Sequence, residues 1–132
     1  VDHFQHLIYS QPTASAAERH AIWQQLEREY LPWMDWGDLP HGSMGGRWQS
    51  QRHIYLSPFY YIDYTLAQTC ALQFWLRAQQ DGQQAMDDYV ALCRRGGEAP
   101  FGELARSAGL VSPFEDDCLE NVIRQARESL PV

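Results

Sequence analysis

The pattern of apolar and polar positions reads as helix along almost the whole chain, and no run of strand-like alternation is bounded by turn residues. Phe4, Leu7 and Ile8 are spaced for one helical face, and Pro12-Thr13 ends that segment. Ser15-Ala-Ala-Glu18 has the form of a capping box, in which hydroxyl and carboxylate satisfy the free amides at a helix start. The helix it opens sets Ile22, Trp23, Leu26 and Tyr30 against Gln24, Gln25, Glu27 and Arg28, and ends near Pro32. Residues 33–46, with four glycines and one proline, read as a long loop. Ser57-Pro58 predicts the next helix start, since Ser caps free amides and Pro has no N–H to waste in a first turn. From Phe59 to Gln80 the chain is apolar nearly all round, which predicts a central helix enclosed by others.

Asp81-Gly82 reads as a turn. A helix over 83–95 presents Met86, Tyr89, Val90 and Cys93, and Gly96-Gly97 stops it. A short helix follows from Pro100 to Gly109. Ser112-Pro113-Phe114-Glu115 predicts a second capping box, opening a last helix that buries Leu119, Val122, Ile123, Ala126 and Leu130. The expected fold class is all-α, a helical bundle organised as one unit over residues 1–132.

Composition narrows the function. The chain has 132 residues, 45% of them apolar and 17 of them aromatic, enough for a real core. Ten basic residues, all Arg, stand against 17 acidic ones, for a net charge of -7. That balance lacks the positive field that nucleic acid or an anionic membrane selects. No apolar run approaches the roughly 20 residues of a membrane span, and no export signal opens the chain. Cys70, Cys93 and Cys118 are odd in number and widely spaced, which argues against a disulfide framework or zinc ribbon. They read as three buried thiols in a reducing cytoplasm. The first residue is Val1 and not Met, as expected of a fragment.

Most catalytic signatures are absent, among them H-E-x-x-H, G-x-S-x-G, the P-loop and G-x-G-x-x-G. His3 and His6 share a helical face, but no third ligand accompanies them, so no metal site is expected in this chain. His20 and His41 read as solvated, and the acid pairs Asp87-Asp88 and Asp116-Asp117 as outer surface. The unusual segment is His53 to Tyr64, HIYLSPFYYIDY. It sets one His before a helix start and Tyr60, Tyr61 and Tyr64 within two turns of it, at spacings that let hydroxyls gather on adjoining faces. Imidazole and phenol can be aimed as donors at a developing oxyanion. The competing reading buries the same tyrosines in a helical core.

The stretches WQSQRHIYLSPFYYIDYTLAQTCALQFW and YVALCRRGGEAPFGELARSAGLVSPFED resemble the C-terminal catalytic region of the oligoendopeptidase F family, zinc metallopeptidases related to thimet oligopeptidase. VDHFQHLIY, ERHAIWQQLEREYLPW and GGRWQSQ extend the resemblance over about residues 1 to 120. It implies a larger helical catalytic domain with a channel for short peptides. It also implies zinc held by two His of H-E-x-x-H and a later Glu, with the motif Glu activating water, all in an upstream part of the same protein. By position, the family's histidine matches His53 and its oxyanion-stabilising tyrosine matches Tyr64 with Tyr61 beside it, Tyr60 being the substitute. Tyr60 and Tyr55, with Gly45 and Gly46 of a Gly-rich loop (42 to 46) that closes over substrate, are the expected substrate contacts. The isolated chain is then expected to bind no zinc, to be inactive and to self-associate. The alternative is a non-catalytic helical module that binds peptides or a protein partner.

Overall fold

A computed structural model describes residues 1–130, and among them every regular element is a helix and no strand forms. The all-α expectation holds. The chain divides into two compact units, Val1–Ile62 and Asp63–Val132. No helix of the described residues is long and apolar enough to cross a membrane.

The first unit contains α1 (Asp2–Tyr9), α2 (Ala16–Tyr30), the short α3 (Pro40–Ser43), a 3-10 helix (Gly46–Ser50) and α4 (Arg52–Leu56). Residues 33–46 are thus a loop interrupted by one helical turn. Phe4 is fully buried, with the Trp23 ring edge-on at 5.1 Å and the Trp48 ring tilted at 5.5 Å. Ile8, Leu26 and Ile54 complete this core. Side chains of this size contribute roughly 1.5–3 kcal/mol each when fully buried, so α1, α2, the 3-10 helix and α4 are held mainly by these contacts.

The predicted capping box opens α2. Ser15 accepts from the Glu18 amide, and the Glu18 carboxylate accepts from the Ser15 amide at 2.7 Å. Replacing Ser15 by Ala is expected to destabilise the protein by about 1 kcal/mol in chemical denaturation. The Ser15 side-chain and backbone hydrogen bonds hold the Glu18 carboxyl below its ordinary 4.5. A depressed acid adds stability above its unfolded pKa and loses it as pH falls through the lower folded value. The wild-type advantage over Ser15→Ala is therefore expected to shrink on titration below pH 4.5, and an advantage that grows there would contradict the box.

The second unit contains most of α5 (Ile62–Gln80), then α6 (Gly82–Arg94), α7 (Phe101–Ser107) and α8 (Cys118–Ser129). Asp81 caps α6 by accepting from the Gln84 amide at 3.0 Å. Ala105, Ala108 and Leu110 form a small core joined by Cys70, Phe74 and Leu92. Polar side chains of α5 hold the segment after α7. The Gln73 amide donates to the Val111 carbonyl and accepts from the Val111 N–H, both at 2.9 Å. Arg77 donates to the Ala108 carbonyl at 2.6 Å and pairs with Asp88, whose carboxyl that contact, with Gln84, holds below its usual range.

Several expectations are corrected. Ser57 ends α4, its amide bonding back to the His53 carbonyl, and α5 starts only at Ile62. The cause is a turn in which the Tyr60 amide bonds to the Ser57 carbonyl while Phe59 takes a left-handed φ of 61°. Pro58 serves that turn and starts no helix. Ser112 likewise forms no capping box. It is buried, receives the Phe114 amide on its hydroxyl in a tight turn, and leaves α8 to begin at Cys118. α5 is not enclosed within this chain, for its buried residues are Thr69 and Gln73. On α8, Val122 and Ala126 are buried but Leu119, Ile123 and Leu130 are exposed. Of the three thiols only Cys118 is buried, Cys93 being exposed and Cys70 in between; burial raises the thiols of both Cys118 and Cys70.

Candidate functional site

Helix α4 is a single turn and a half, fixed to the core by buried Ile54, and it carries His53 one residue earlier. Ser57 stops it, and the 57–61 turn reverses the chain so that two tyrosines fall back beside the imidazole. The Tyr60 ring lies nearly parallel to His53, at 5.8 Å between centroids and 5° between planes. Tyr61 approaches the same ring edge-on, at 5.3 Å and 86°. His53, Tyr60 and Tyr61 are thus brought together within the first unit by a turn that precedes α5, and not by spacing along its first two turns. Tyr64 stands in the first turn of α5, in the second unit, half exposed. Imidazole and phenol each present a polar hydrogen, so the cluster can donate to a carbonyl or an oxyanion.

Tyr55, on α4, is exposed and stacks at 25° on the buried Trp48 ring, 6.3 Å away. Gly45 and Gly46 are both buried. Gly45 has φ +73°, and a Cβ there would lie 2.4 Å from the His20 carbonyl oxygen; one at Gly46 would lie 2.7 Å from the His41 ring. The pair therefore lets this loop press against α2 and α3, where no larger residue fits.

The remaining histidines do other work. His3 Nδ1 lies 3.0 Å from the Tyr30 hydroxyl, and His6 lies 3.5 Å from Asp2 and against the Phe59 ring. His41 is exposed, as expected. His20 is not simply solvated, because its Nε2 is buried near Trp48 without a hydrogen-bond partner among the described residues. Among those residues no group of three His, Cys, Asp and Glu side chains could hold a metal ion, so this chain's donors do not fit the zinc that the resemblance implies.

Three features escape sequence reasoning. Phe59, His6 and Tyr9 pack together at the turn that shapes the cluster, with the Tyr9 ring edge-on to Phe59 at 5.2 Å. Nothing in composition or spacing signals that contact. A cavity of about 350 Å³ in the first unit is lined by Gln24, Glu27, Leu31, Met34, Trp36 and Gly42 among others, and the His53 cluster is not part of it. Trp36 there donates to Glu27 at 3.3 Å and lies under the Arg47 guanidinium.

No protein-family model and no curated protein matches the chain. Solved structures do. An X-ray structure of an oligoendopeptidase F is 51% identical over 98% of this chain, with a TM-score of 0.89. A structure of PZ peptidase A with an inhibitor is 49% identical over 96%, also at 0.89. An oligoendopeptidase F from Bacillus anthracis is 43% identical over 96%, at 0.71. The chain spans only 23%, 23% and 19% of those proteins, respectively. Over nearly its whole length, then, this chain matches one segment of the longer oligoendopeptidase F proteins.

Proposed function

We propose that this chain is the part of a zinc-dependent oligoendopeptidase that supplies hydrogen-bond donors to a short peptide as it is hydrolysed. His53 and Tyr61 donate to the oxygen that gains charge at the scissile carbonyl, a donor role that the resemblance assigns by position to Tyr64 as well. Tyr60 and Tyr55 contact the substrate backbone, whereas the buried Gly45-Gly46 pair holds its loop against α2 and α3. The observation that supports this reading is the convergence of His53, Tyr60 and Tyr61 rings in the very segment that carries the resemblance. Donors that are already held in place cost little reorganisation when charge develops, which is where such groups gain their effect. The zinc ligands and the water-activating carboxylate belong, on this reading, to residues outside this chain.

Exposed Met86 and Tyr89 of α6, and Leu119 and Ile123 of α8, give the second unit apolar surface suited to the rest of such a protein. That surface supports self-association of the isolated chain. Its three free cysteines fit a reducing, cytoplasmic setting.

The test compares the 132-residue chain with the whole protein that contains it, on an internally quenched short peptide. The whole protein is expected to cleave it, to lose activity in a zinc chelator and to regain it with zinc, while the chain alone is inert. Cleavage by the chain alone, or by a chelated whole protein, overturns the reading.

A further inference from the structure

Among the described residues only Phe59 and Asp117 combine a side chain with positive φ. A left-handed backbone is unfavourable for an L residue, and for a bulky ring it is rare enough to need a cause. Asp117 has the short polar side chain that tolerates it. Phe59 does not, and two rings from α1 supply the cause. His6 packs on Phe59 at 4.7 Å between centroids, and Tyr9 meets it edge-on at 5.2 Å. Tyr9 is itself anchored, since its hydroxyl donates to the Ile54 carbonyl at 2.9 Å and accepts from fully buried Gln5 at 3.3 Å.

Tyr9 therefore grips both sides of the turn. Its hydroxyl holds α4 at the residue next to His53, and its ring holds the residue just before Tyr60. The sign of φ at residue 59 decides the direction in which the chain leaves the turn, and hence where the next two rings go. The geometry points to Phe59 as a positioning residue: its left-handed conformation, locked by His6 and Tyr9, sets Tyr60 and Tyr61 against the His53 imidazole. The positioning itself stands on these contacts; its consequence for catalysis rests on the function proposed above.

Two readouts on the whole protein separate those claims. The first is the His53 ring resonance in protein labelled with 13C at histidine Cε1, assigned by His53→Gln, because neighbouring aromatic rings displace it. The second is steady-state hydrolysis of a short peptide. Phe59→Ala keeps the backbone strain and removes the ring that the clamp holds. It is expected to return the His53 resonance toward the value of a solvated histidine, and to lower kcat roughly 10–100-fold with KM changed less than about twofold. Phe59→Tyr retains the ring and is expected to restore both. His6→Ala removes one of the two clamping rings from an exposed position, and so remains informative if Phe59→Ala does not fold; it is expected to move the resonance in the same direction by less. An unmoved His53 resonance in Phe59→Ala, or in His6→Ala where the former does not fold, overturns the positioning role. A moved resonance with unchanged kcat upholds the positioning and overturns instead the assignment of His53 as a substrate donor.

Discussion

In the whole protein, His53→Ala is expected to lower kcat for short peptides by roughly 10²–10³-fold, the loss typical when one preorganised donor to an oxyanion is removed. The effect belongs in kcat, with KM little changed, because a donor to developing charge gains its strength at the transition state and not on binding. His53 is partly buried and makes ring contacts with two tyrosines, so stability must be followed alongside rate. His53→Gln retains an amide donor on a side chain of similar reach and is expected to recover part of the loss. Tyr61→Phe keeps the edge-on ring and removes only the hydroxyl. It separates packing from donation: a large kcat loss assigns Tyr61 a donor role, whereas full activity leaves it as a wall for the imidazole. An unchanged kcat in His53→Ala would end the donor reading.

The second large effect is on stability. Gly45→Ala is expected to destabilise the first unit by about 2–5 kcal/mol, taking roughly 1–2 from the left-handed backbone and about 1–3 from overpacking. The overpacking is specific, since the new Cβ would sit 2.4 Å from the His20 carbonyl oxygen and 2.7 Å from Gln24. The Gln24 amide also donates to the Ser43 carbonyl at 2.6 Å, so displacing it loosens the same loop from α2. Gly37 is the control. It too has positive φ, but a Cβ there meets nothing within 4 Å, so Gly37→Ala is expected to cost only the backbone component. Equal losses at the two positions in urea unfolding would show that the close approach to α2 contributes nothing.

What could be read from the sequence follows from how local each cause is. The start of α2 was legible because Ser15 and Glu18 satisfy each other's amides within one turn. The stop after α7 was legible for the same reason, through left-handed Gly109, whereas Asp81, read only as part of a turn, proves to cap α6. Ser57-Pro58 and Ser112-Pro113 carry the same chemical signal yet start no helix. In the first case the outcome is set by the conformation of Phe59, and in the second by a turn in which Ser112 is buried. Both are fixed by neighbours distant in sequence. The Tyr9 hydroxyl, for instance, reaches a carbonyl 45 residues away.

Apolar periodicity failed in a different way for α5 and α8. It marks surface that wants burial, but this chain spans 23% or less of the matched proteins and leaves Ile62, Leu119 and Ile123 exposed. Within α5, polar Thr69 and Gln73 are the residues that are buried. Thr69 bonds the Thr65 carbonyl in its own helix, and Gln73 is needed to satisfy both backbone groups of Val111. At the candidate site the donor types His53, Tyr60 and Tyr61 were legible as a contiguous cluster. The clamp that aims them was not, because His6, Tyr9 and Phe59 have no common motif or spacing.

As one wall of a zinc peptidase, the role proposed above, this chain requires a metal site elsewhere in the same protein. Reading the coding frame ahead of Val1 tests it most directly. The expected result is an upstream H-E-x-x-H followed by a helix that carries a further Glu, continuous with this sequence. A complete reading frame that lacks any such segment would contradict it, leaving His53 and its tyrosines with no hydrolytic chemistry to assist.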